Sequence, residues 1–198
     1  MNIYIVRHSE TDLNLSGVYY GSTDCDINSK GISQAKNLSR FFLKKDIDLI
    51  ISSDLKRAYN TAKIIRGNRN IDIIKEKGLR EIDFGDWENK TYNYIKENDK
   101  ENYNKWCENW LDMTFPNGES YKGFYKRVGE TFNNIIEKYE NLENILIVGH
   151  NGSLVSLLCN ALGFSEGDFW RFKIEQNTYT MVSIHNKYAV LEKYNCDI

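Results

Sequence analysis

Two histidines follow short runs that are typical of buried strands, and both are candidates for catalysis. His8 ends the run 3–7, and His150 ends the run 145–149. Because ligands of open α/β sheets bind at the carboxyl ends of the strands, we expect the two imidazoles to converge on one crevice. The third histidine, His185, stands beside a predicted turn and is expected at the surface.

Two arginines accompany these histidines and could hold an anion. Arg7 directly precedes His8, and Arg57 follows the predicted strand 49–52 near the start of a helix. Guanidinium groups match phosphate oxygens with paired hydrogen bonds, and helix N-termini add backbone N–H donors. Asn14 could add an amide donor. The competing interpretation is that the histidines only pack at strand ends, that Arg57 is a solvated charge and that Asn14 is a turn residue.

Glu81 is the candidate general acid. It lies in the aromatic, partly apolar loop 79–87, where a carboxyl can have a raised pKa and hold a proton near neutrality. Such a group could protonate a leaving alkoxide. Asp83 and Asp86 are nearby alternatives that the sequence leaves open.

Composition excludes several broad classes. The 198 residues include 26 Lys plus Arg and 28 Asp plus Glu, for a formal net charge of −2. Such a chain is not a general binder of nucleic acid or anionic lipid. Without a signal peptide pattern or a long apolar run, we expect a cytoplasmic protein without a membrane partner. The four cysteines form no C-x-x-C pair and are expected to be reduced thiols.

Strands alternate with helices along the chain, which predicts an α/β fold with a mostly parallel sheet. We expect a single domain over residues 1–198. Residues 9–29 are predicted to form a long loop, and a C-terminal hairpin around Asn186 and Lys187 predicts an antiparallel edge. The predicted strands are 3–6, 49–52, 71–74, 145–148, 179–184 and 189–191. The predicted helices are 28–44, 53–67 (capped by Ser53), 92–110, 119–139 and 151–162.

Several ordered motifs resemble those of one known family, the histidine phosphatase superfamily, also called phosphoglycerate mutase-like. The first is Arg7-His8-Ser9-Glu10-Thr11-x-x-Asn14, and the others are Gly21-x-x-Asp24, Gly31-x-x-Gln34-Ala35, Ser52-Ser53-Asp54-Leu55-x-Arg57-Ala58-x-x-Thr61-Ala62, Leu79-Arg80-Glu81-x-x-Phe84-Gly85-x-Trp87-Glu88 and Pro116-x-Gly118-Glu119-Ser120. The resemblance implies a three-layer α/β/α sandwich with a small cap-like insertion at about 88–120.

The resemblance also implies a role for each candidate residue. His8 would be the nucleophile that carries a transient phosphoryl group, and Glu81 would protonate the leaving oxygen and then help to activate water. The reaction would need no metal or cofactor, and its substrate would be a small-molecule phosphomonoester. The phosphoryl oxygens would be bound by Arg7, Arg57, His150 and Asn14.

Three positions depart from the usual family pattern, although none removes a catalytic group. Ser9 stands where glycine is usual, and it can narrow the loop or add a hydroxyl. Tyr20 stands where small polar residues or glutamine are common, and Asn151 follows His150 where glycine or alanine is frequent. We include Tyr20, Gly21 and Asn151 among the expected substrate-binding residues.

The region after the Glu81 block favours hydrolysis over mutase chemistry. The family's mutases are typically longer and carry an insertion with basic residues there, whereas residues 91–115 are short and low in arginine. Phe84 also stands where mutases carry tyrosine. A phosphoric monoester hydrolase is therefore expected, with a 2,3-bisphosphoglycerate-dependent phosphoglycerate mutase as the alternative. The sequence leaves a homodimer open.

The aromatic residues of the cap-like region bear on the substrate. They could stack on a ring or base, or form the cap's own small core. The blocks around Trp87 and at 116–120 are similar to those of α-ribazole phosphatases of cobalamin assembly, a likeness that general phosphatases of the family share. The aromatic residues in question are Trp106, Trp110, Phe115, Tyr121 and Tyr125.

Three further hypotheses come from other functional classes. A metallohydrolase could use His8 and His150, but the chain has no H-E-x-x-H ligand cluster. A non-catalytic module that binds phospho-ligands is disfavoured because both histidines, both arginines and Glu81 are present. A nucleotide-binding α/β protein lacks support because neither glycine-rich phosphate-binding motif occurs.

Overall fold

A six-stranded sheet runs through the computed structural model, which describes residues 1–186 and 188–198. The strand order is β3-β2-β4-β1-β5-β6. The first four strands of the chain pair in parallel, β5 is antiparallel to β1, and β6 is antiparallel to β5. The predicted mostly parallel sheet with an antiparallel edge is therefore confirmed. The strands are β1 (Asn2–Arg7), β2 (Leu49–Ser52), β3 (Asp72–Lys75), β4 (Asn144–Gly149), β5 (Tyr179–His185) and β6 (Tyr188–Cys196).

Helices cover both faces of the sheet and form the outer layers of an α/β/α sandwich. Ile3 and Ile5 of β1 face a core that contains α6 and α7, whereas Tyr4 and Val6 face a core that contains α2 and α3. Burial on both faces explains why the central strands are continuous apolar runs. The helices are α1 (Asp12–Ser16), α2 (Ser29–Phe42), α3 (Lys56–Arg66), α4 (Tyr92–Asn98), α5 (Lys100–Glu108), α6 (Tyr121–Lys138) and α7 (Asn151–Leu162).

The first difference from the predicted elements lies in the polar segment 9–29, which is not entirely loop. It contains α1, which is held by a reciprocal capping box between Thr11 and Asn14. The Thr11 side chain accepts from the Asn14 backbone N–H, and the Asn14 side chain accepts from the Thr11 backbone N–H. A capping box satisfies two backbone donors and can hold even one short turn.

Two predicted helix boundaries were also wrong. The single helix expected over 92–110 is broken at Asp99, whose backbone is not helical and whose carboxylate accepts from the Trp87 indole N–H at 2.8 Å. The helix expected to begin after Ser53 instead begins at Lys56, because the Ser53 hydroxyl contacts the His150 ring. Tertiary contacts therefore replace the local caps that the sequence suggested.

The C-terminal hairpin agrees with its prediction, although β6 extends further than expected, to Cys196. Asn186 has the left-handed backbone typical of a hairpin turn, with a φ of 48°. Lys187, the other residue of the predicted turn, lies outside the described residues. His185 is exposed, as expected. No helix of the described chain combines the length and apolarity needed to cross a membrane.

Candidate active site

The sheet brings the two strand-end histidines side by side. In the parallel pairing of β1 with β4, Arg7 lies opposite Gly149, so His8 and His150 leave neighbouring strand ends together. Their ring centroids are 5.2 Å apart, and the two residues are only 3% and 1% exposed. The expected convergence of the imidazoles on one crevice is present in the structure.

The hydrogen bonding of His8 leaves one ring nitrogen available. Its Nδ1 lies 2.8 Å from the Ser9 carbonyl oxygen, which can only accept, so Nδ1 carries the proton. The lone pair of a neutral ring is then on Nε2. Burial holds the pKa of His8 well below its ordinary value, and the charges of Arg57 and Arg7 lower it further. The ring is therefore neutral and can act as a nucleophile near neutral pH.

His150 is oriented from both of its nitrogens. The Arg57 Nε–H can only donate, and it lies 3.1 Å from Nδ1 of His150, so Nδ1 is the accepting nitrogen. Nε2 then carries the proton in the neutral ring and donates to the Ser53 hydroxyl at 2.9 Å. Burial, Arg57 and His8 hold the pKa of His150 well below its ordinary value. Two adjacent histidines are thus kept uncharged beside two arginines.

Arg57 is a fully buried cation whose partners are mostly uncharged. Besides His150, its guanidinium donates to the carbonyls of Thr23 and Gly21, each at 2.7 Å, and it stacks over the Tyr20 ring at 4.8 Å. None of these groups carries a negative charge to balance it. A desolvated guanidinium in such surroundings attracts an incoming anion strongly.

The loop that accepts from Arg57 is organised by one carboxylate. Glu88 accepts from the backbone N–H groups of Gly21, Ser22 and Thr23 at 2.8, 2.9 and 3.1 Å. A Cβ on Gly21 would lie 1.6 Å from the Ile82 carbonyl oxygen, so no larger residue fits there without movement. The N–H and carbonyl of Gly21 are both committed to protein partners, and its observed role is to hold Arg57.

Glu81 lies at the N-terminus of α7. Its carboxylate accepts from the N–H groups of Gly152 and Ser153 at 2.8 and 3.1 Å, and from Ile82 at 3.1 Å. Burial raises its pKa, whereas the hydrogen bonds from Gly152 and Ile82 and the nearby arginines oppose the rise. The net result is a raised pKa on a group that is fixed in place, which suits a proton donor and acceptor.

Arg7 completes the cationic side of the site. Its guanidinium donates to the Ile174 carbonyl at 3.2 Å, and its buried Nε has no partner in the described chain. Desolvation by burial lowers the pKa of Arg7. A half-buried guanidinium with a buried, unused Nε donor is suited to an anion that arrives with the substrate.

The remaining predicted binding residues lie around this centre and form hydrogen bonds with other protein groups. The Tyr20 hydroxyl hydrogen-bonds to the Thr11 hydroxyl at 3.0 Å, and the Tyr20 and His8 rings pack edge to face with their centroids 6.4 Å apart. Asn151 begins α7, and its side-chain Oδ1 accepts from the Ile174 N–H at 2.9 Å. Asp83 and Asp86, the alternatives to Glu81, are tied to local turns and to Ser22 and Asn117.

An apolar pocket of about 160 Å³ opens beside Glu81. It is bounded by Glu81 and Gly152 on one side, and its remaining walls are almost entirely aromatic. Four of the five aromatic residues singled out in the cap-like region line it, and Tyr125 does not, because its hydroxyl donates to the Phe164 carbonyl. The aromatic walls are Tyr19, Phe84, Trp106, Trp110, Phe115, Tyr121, Phe124, Phe169 and Trp170.

Two residues of the site were missed from the sequence. Ser53 was assigned to a helix cap, but its hydroxyl supports His150. Gln176 donates to the His8 carbonyl at 3.2 Å and to the Asn14 side-chain oxygen at 3.1 Å, although it lies 168 residues from His8. The Ser52-Ser53-Asp54 motif could have indicated the first, whereas no local pattern marks Gln176.

A metal-binding cluster was one alternative reading of the histidines. Among residues 1–186 and 188–198, no three His, Cys, Asp or Glu side chains are grouped as ligands for a metal ion. The four cysteines are unpaired and well separated in the sequence.

Comparison with known proteins agrees with this geometry. The family model "Histidine phosphatase superfamily (branch 1)" matches residues 3–197. Adenosylcobalamin/alpha-ribazole phosphatase of Escherichia coli K12 is 32% identical over 98% of this chain and 96% of its own. Phosphoserine phosphatase 1 of Hydrogenobacter thermophilus is 30% identical over 98% and 92%.

A solved structure shows the same likeness in three dimensions. The alpha-ribazole phosphatase of Shigella flexneri superposes with a TM-score of 0.95 at 32% identity, covering 99% of this chain and 96% of that one. Both the sequence and the fold therefore match over nearly their whole length. The chain belongs to the histidine phosphatase superfamily, branch 1, and is a phosphatase.

Proposed function

We propose that the protein is a metal-independent phosphomonoesterase in which the phosphoryl group passes through His8. The observation that carries the proposal is the buried neutral His8, with Nδ1 fixed on the Ser9 carbonyl, beside two desolvated arginines and an acidic partner of raised pKa. Arg7, Arg57, His150 and Asn14 are proposed to surround the phosphoryl oxygens.

In the first step, Nε2 of His8 attacks phosphorus and the ester P–O bond breaks. Glu81 gives its proton to the leaving alkoxide and becomes a carboxylate, which the N–H groups of Gly152 and Ser153 stabilise. The ring of His8 becomes positive as the P–N bond forms. Its Nδ1–H bond to the Ser9 carbonyl strengthens at that point.

In the second step, water attacks the phosphorus of phospho-His8. The Glu81 carboxylate takes a proton from that water, the P–N bond breaks, and its electron pair returns to Nε2. Inorganic phosphate leaves, and both Glu81 and His8 regain their starting protonation states. Each displacement has a better nucleophile or leaving group than direct attack of water on an alkyl ester.

We further propose that the leaving group carries an aromatic ring and that the substrate is α-ribazole 5′-phosphate. Its hydrolysis would be a step of cobalamin biosynthesis. The aromatic pocket begins at Glu81, where the leaving oxygen would be protonated. Its walls offer stacking surfaces and few polar groups, which suits a base on a ribose. The names of the Escherichia coli and Shigella flexneri relatives support the same substrate.

The proposal for the whole molecule is one domain over residues 1–198, with a cap-like segment at about 88–120 that supplies part of the pocket. The match of one family model to residues 3–197 supports a single unit. We also propose that it works in the cytoplasm.

The test is phosphate release from a panel of monoesters with EDTA present, comparing wild type with His8→Ala. The panel holds α-ribazole 5′-phosphate, nucleotides, sugar phosphates, phosphoserine and phosphoglycerates. We expect release to persist in EDTA, to be fastest with α-ribazole 5′-phosphate and to be lost in His8→Ala.

Other outcomes would point elsewhere. Loss of activity in EDTA that metal restores would support a metallohydrolase. Interconversion of phosphoglycerates without phosphate release would support the mutase alternative. Full biological function of His8→Ala would support a non-catalytic binding module.

A further inference from the structure

A short C-terminal segment, residues 174–176, contacts the predicted phosphoryl-binding residues from outside the recognised motifs. The Ile174 carbonyl accepts from Arg7, and its N–H donates to the Asn151 side chain. Two residues later, the Gln176 amide reaches the His8 carbonyl and the Asn14 side chain. The segment is itself held by β6, where Asn195 accepts from the Glu175 N–H at 3.1 Å.

The direction of every hydrogen bond around Gln176 is fixed by chemistry. The His8 carbonyl can only accept, so the Gln176 atom facing it at 3.2 Å is the Nε2 donor. The same nitrogen lies 3.1 Å from Asn14, which must therefore present its Oδ1 acceptor. The two N–H bonds of one amide group thus satisfy two oxygens in the site.

The orientation of the Asn14 amide follows from these bonds. Its Oδ1 accepts from the Thr11 N–H at 3.0 Å and the Thr11 hydroxyl at 3.1 Å, as well as from Gln176. Its Nδ2 has no acceptor among the described residues, so this donor is available to a bound anion. A flipped Asn14 would set an N–H donor against the donors of Thr11 and Gln176.

We propose that Gln176 is a positioning residue that holds the Asn14 amide with its donor toward the transferring phosphoryl group. It acts through Asn14 and does not contact substrate itself. The inference rests on the proposed function in one respect, namely that the phosphoryl group binds beside His8.

A double-mutant cycle tests this role. Wild type, Gln176→Leu, Asn14→Ala and the double variant are compared for the Kd of inorganic phosphate by titration calorimetry and for kcat/KM on p-nitrophenyl phosphate. We expect each single variant to weaken phosphate binding about 10-fold or more, as for loss of one hydrogen bond to a charged group. The double variant should be no weaker than Asn14→Ala, because Gln176 then has no donor left to orient.

Two further variants separate positioning from a merely structural role. Gln176→Glu keeps the size and shape but turns a carboxylate toward two acceptor oxygens, and it should bind phosphate more weakly than Gln176→Leu. The matched control is Gln34→Leu, which removes the only other glutamine, whose side chain accepts from the Glu10 N–H at 2.9 Å. Its effect on phosphate binding should be small and additive with Asn14→Ala. Thermal melts check that all variants are folded.

Additive effects of Gln176→Leu and Asn14→Ala, or unchanged phosphate binding in Gln176→Leu, would overturn the inference. A wild type that neither binds phosphate nor hydrolyses the ester would overturn it together with the proposed function. The two proposals can also fail separately. If the effects of Gln176→Leu and Asn14→Ala are coupled but His8→Ala still hydrolyses the ester, the inference about Gln176 stands and only the proposed phospho-His8 route is overturned.

Discussion

The chemistry of individual residues is set by which hydrogen bonds they can make when water is excluded. Within residues 1–186 and 188–198, His8 and His150 have no carboxylate partner, and each ring is held as a neutral tautomer by groups that can only accept or only donate. The charge in the site therefore belongs to Arg7 and Arg57. A phosphoryl group would bring the negative charge that this arrangement lacks.

The pH dependence of turnover should reflect the protonation of His8 and of Glu81. The first step needs an unprotonated Nε2 on His8, whose pKa is well below the usual value, and a protonated Glu81, whose pKa is raised. Wild-type kcat/KM should therefore rise through the His8 pKa, reach a maximum and fall above the Glu81 pKa. In Glu81→Gln the alkaline limb should disappear, because an amide does not titrate.

The same variant should discriminate between leaving groups. An alkyl phosphate needs a proton on its leaving oxygen, so Glu81→Gln should lower its kcat/KM by about 100-fold or more. p-Nitrophenyl phosphate leaves as a stable phenolate and should lose much less. Equal losses on the two esters would show that Glu81 is not the proton donor.

Stability should also depend on pH through the buried histidines. A histidine whose folded pKa is lowered binds its proton more readily when unfolded, so stability is lost as pH falls below the ordinary value of about 6.5. Between about pH 7.5 and about pH 5, the melting temperature of His8→Asn should fall less steeply than that of wild type. Glu81 has the opposite sign over part of this range, so the comparison between proteins isolates the histidine.

The control for this measurement is His185→Asn, which changes the exposed histidine of the hairpin. Its melting temperature should follow the wild-type slope. If His8→Asn keeps that slope as well, the buried ring is not held neutral in the folded protein.

The ends of strands and helices position the residues of the site. Glu81 belongs to a loop, but its carboxylate is fixed by the first N–H groups of α7, where the helix offers unpaired donors. Gly152 permits the approach, because a Cβ there would lie 2.4 Å from a Glu81 carboxylate oxygen. Residue 152 therefore has to be glycine for Glu81 to lie this close to the start of α7.

Gly152→Ala should displace Glu81 and lower kcat on alkyl phosphates about 10-fold or more, since misplacement of a catalytic group by a fraction of an ångström is costly. The matched control is Gly167→Ala, whose Cβ would meet nothing closer than Ser165 at 3.6 Å. Steady-state kinetics of the two variants on one alkyl ester make the comparison. Wild-type turnover in Gly152→Ala would mean that the Glu81 position is not set by this contact.

Sequence patterns predicted the central strands well because the spacing of apolar residues and the length of a strand are local properties of the chain. The runs that became β1, β2 and β4 have almost no polar interruption, and both faces of these strands are buried. The break at Asp99 involves a side-chain hydrogen bond from Trp87, 12 residues earlier, and the start of α3 involves a contact of Ser53 with His150, 97 residues later. Neither side-chain contact is part of the apolar pattern from which the helices were predicted.

The whole molecule forms the aromatic pocket from parts that are distant in the chain. Trp106 and Trp110 come from the cap-like region, whereas Phe169 and Trp170 come from the turn after α7. The sequence leaves two roles open for these aromatic residues, namely stacking on a ligand or packing in a small core within the cap. Phe115 and Tyr121 are buried and also line the pocket. The core is therefore present, and stacking on a ligand stays a prediction.

Trp110→Ala should lower kcat/KM for α-ribazole 5′-phosphate about 10-fold, because stacking of a base on an aromatic side chain contributes roughly 1–3 kcal/mol. Hydrolysis of glycerol 2-phosphate, which has no ring, should change little. Tyr94→Ala is the control, because Tyr94 is a 49% exposed aromatic of α4 that does not line the pocket. Equal losses on both substrates in Trp110→Ala would contradict a base-binding role.

The candidate site was predictable at the residues that family motifs carry and less so elsewhere. His8, Arg57, Glu81 and His150 were singled out from the sequence and lie together in the structure. Gln176 was not, because its contribution depends on the C-terminal segment folding back over the end of β1. Contacts of that kind depend on the complete fold.

Passage of the phosphoryl group through His8 can be tested by trapping the phosphorylated protein. Wild type and His8→Asn would be mixed with a ³²P-labelled monoester, quenched in alkaline denaturant within one turnover and digested for peptide mapping. We expect an acid-labile, alkali-stable label on the peptide that contains His8, and no label in His8→Asn. Label on another residue, or turnover by His8→Asn at the wild-type rate, would contradict it.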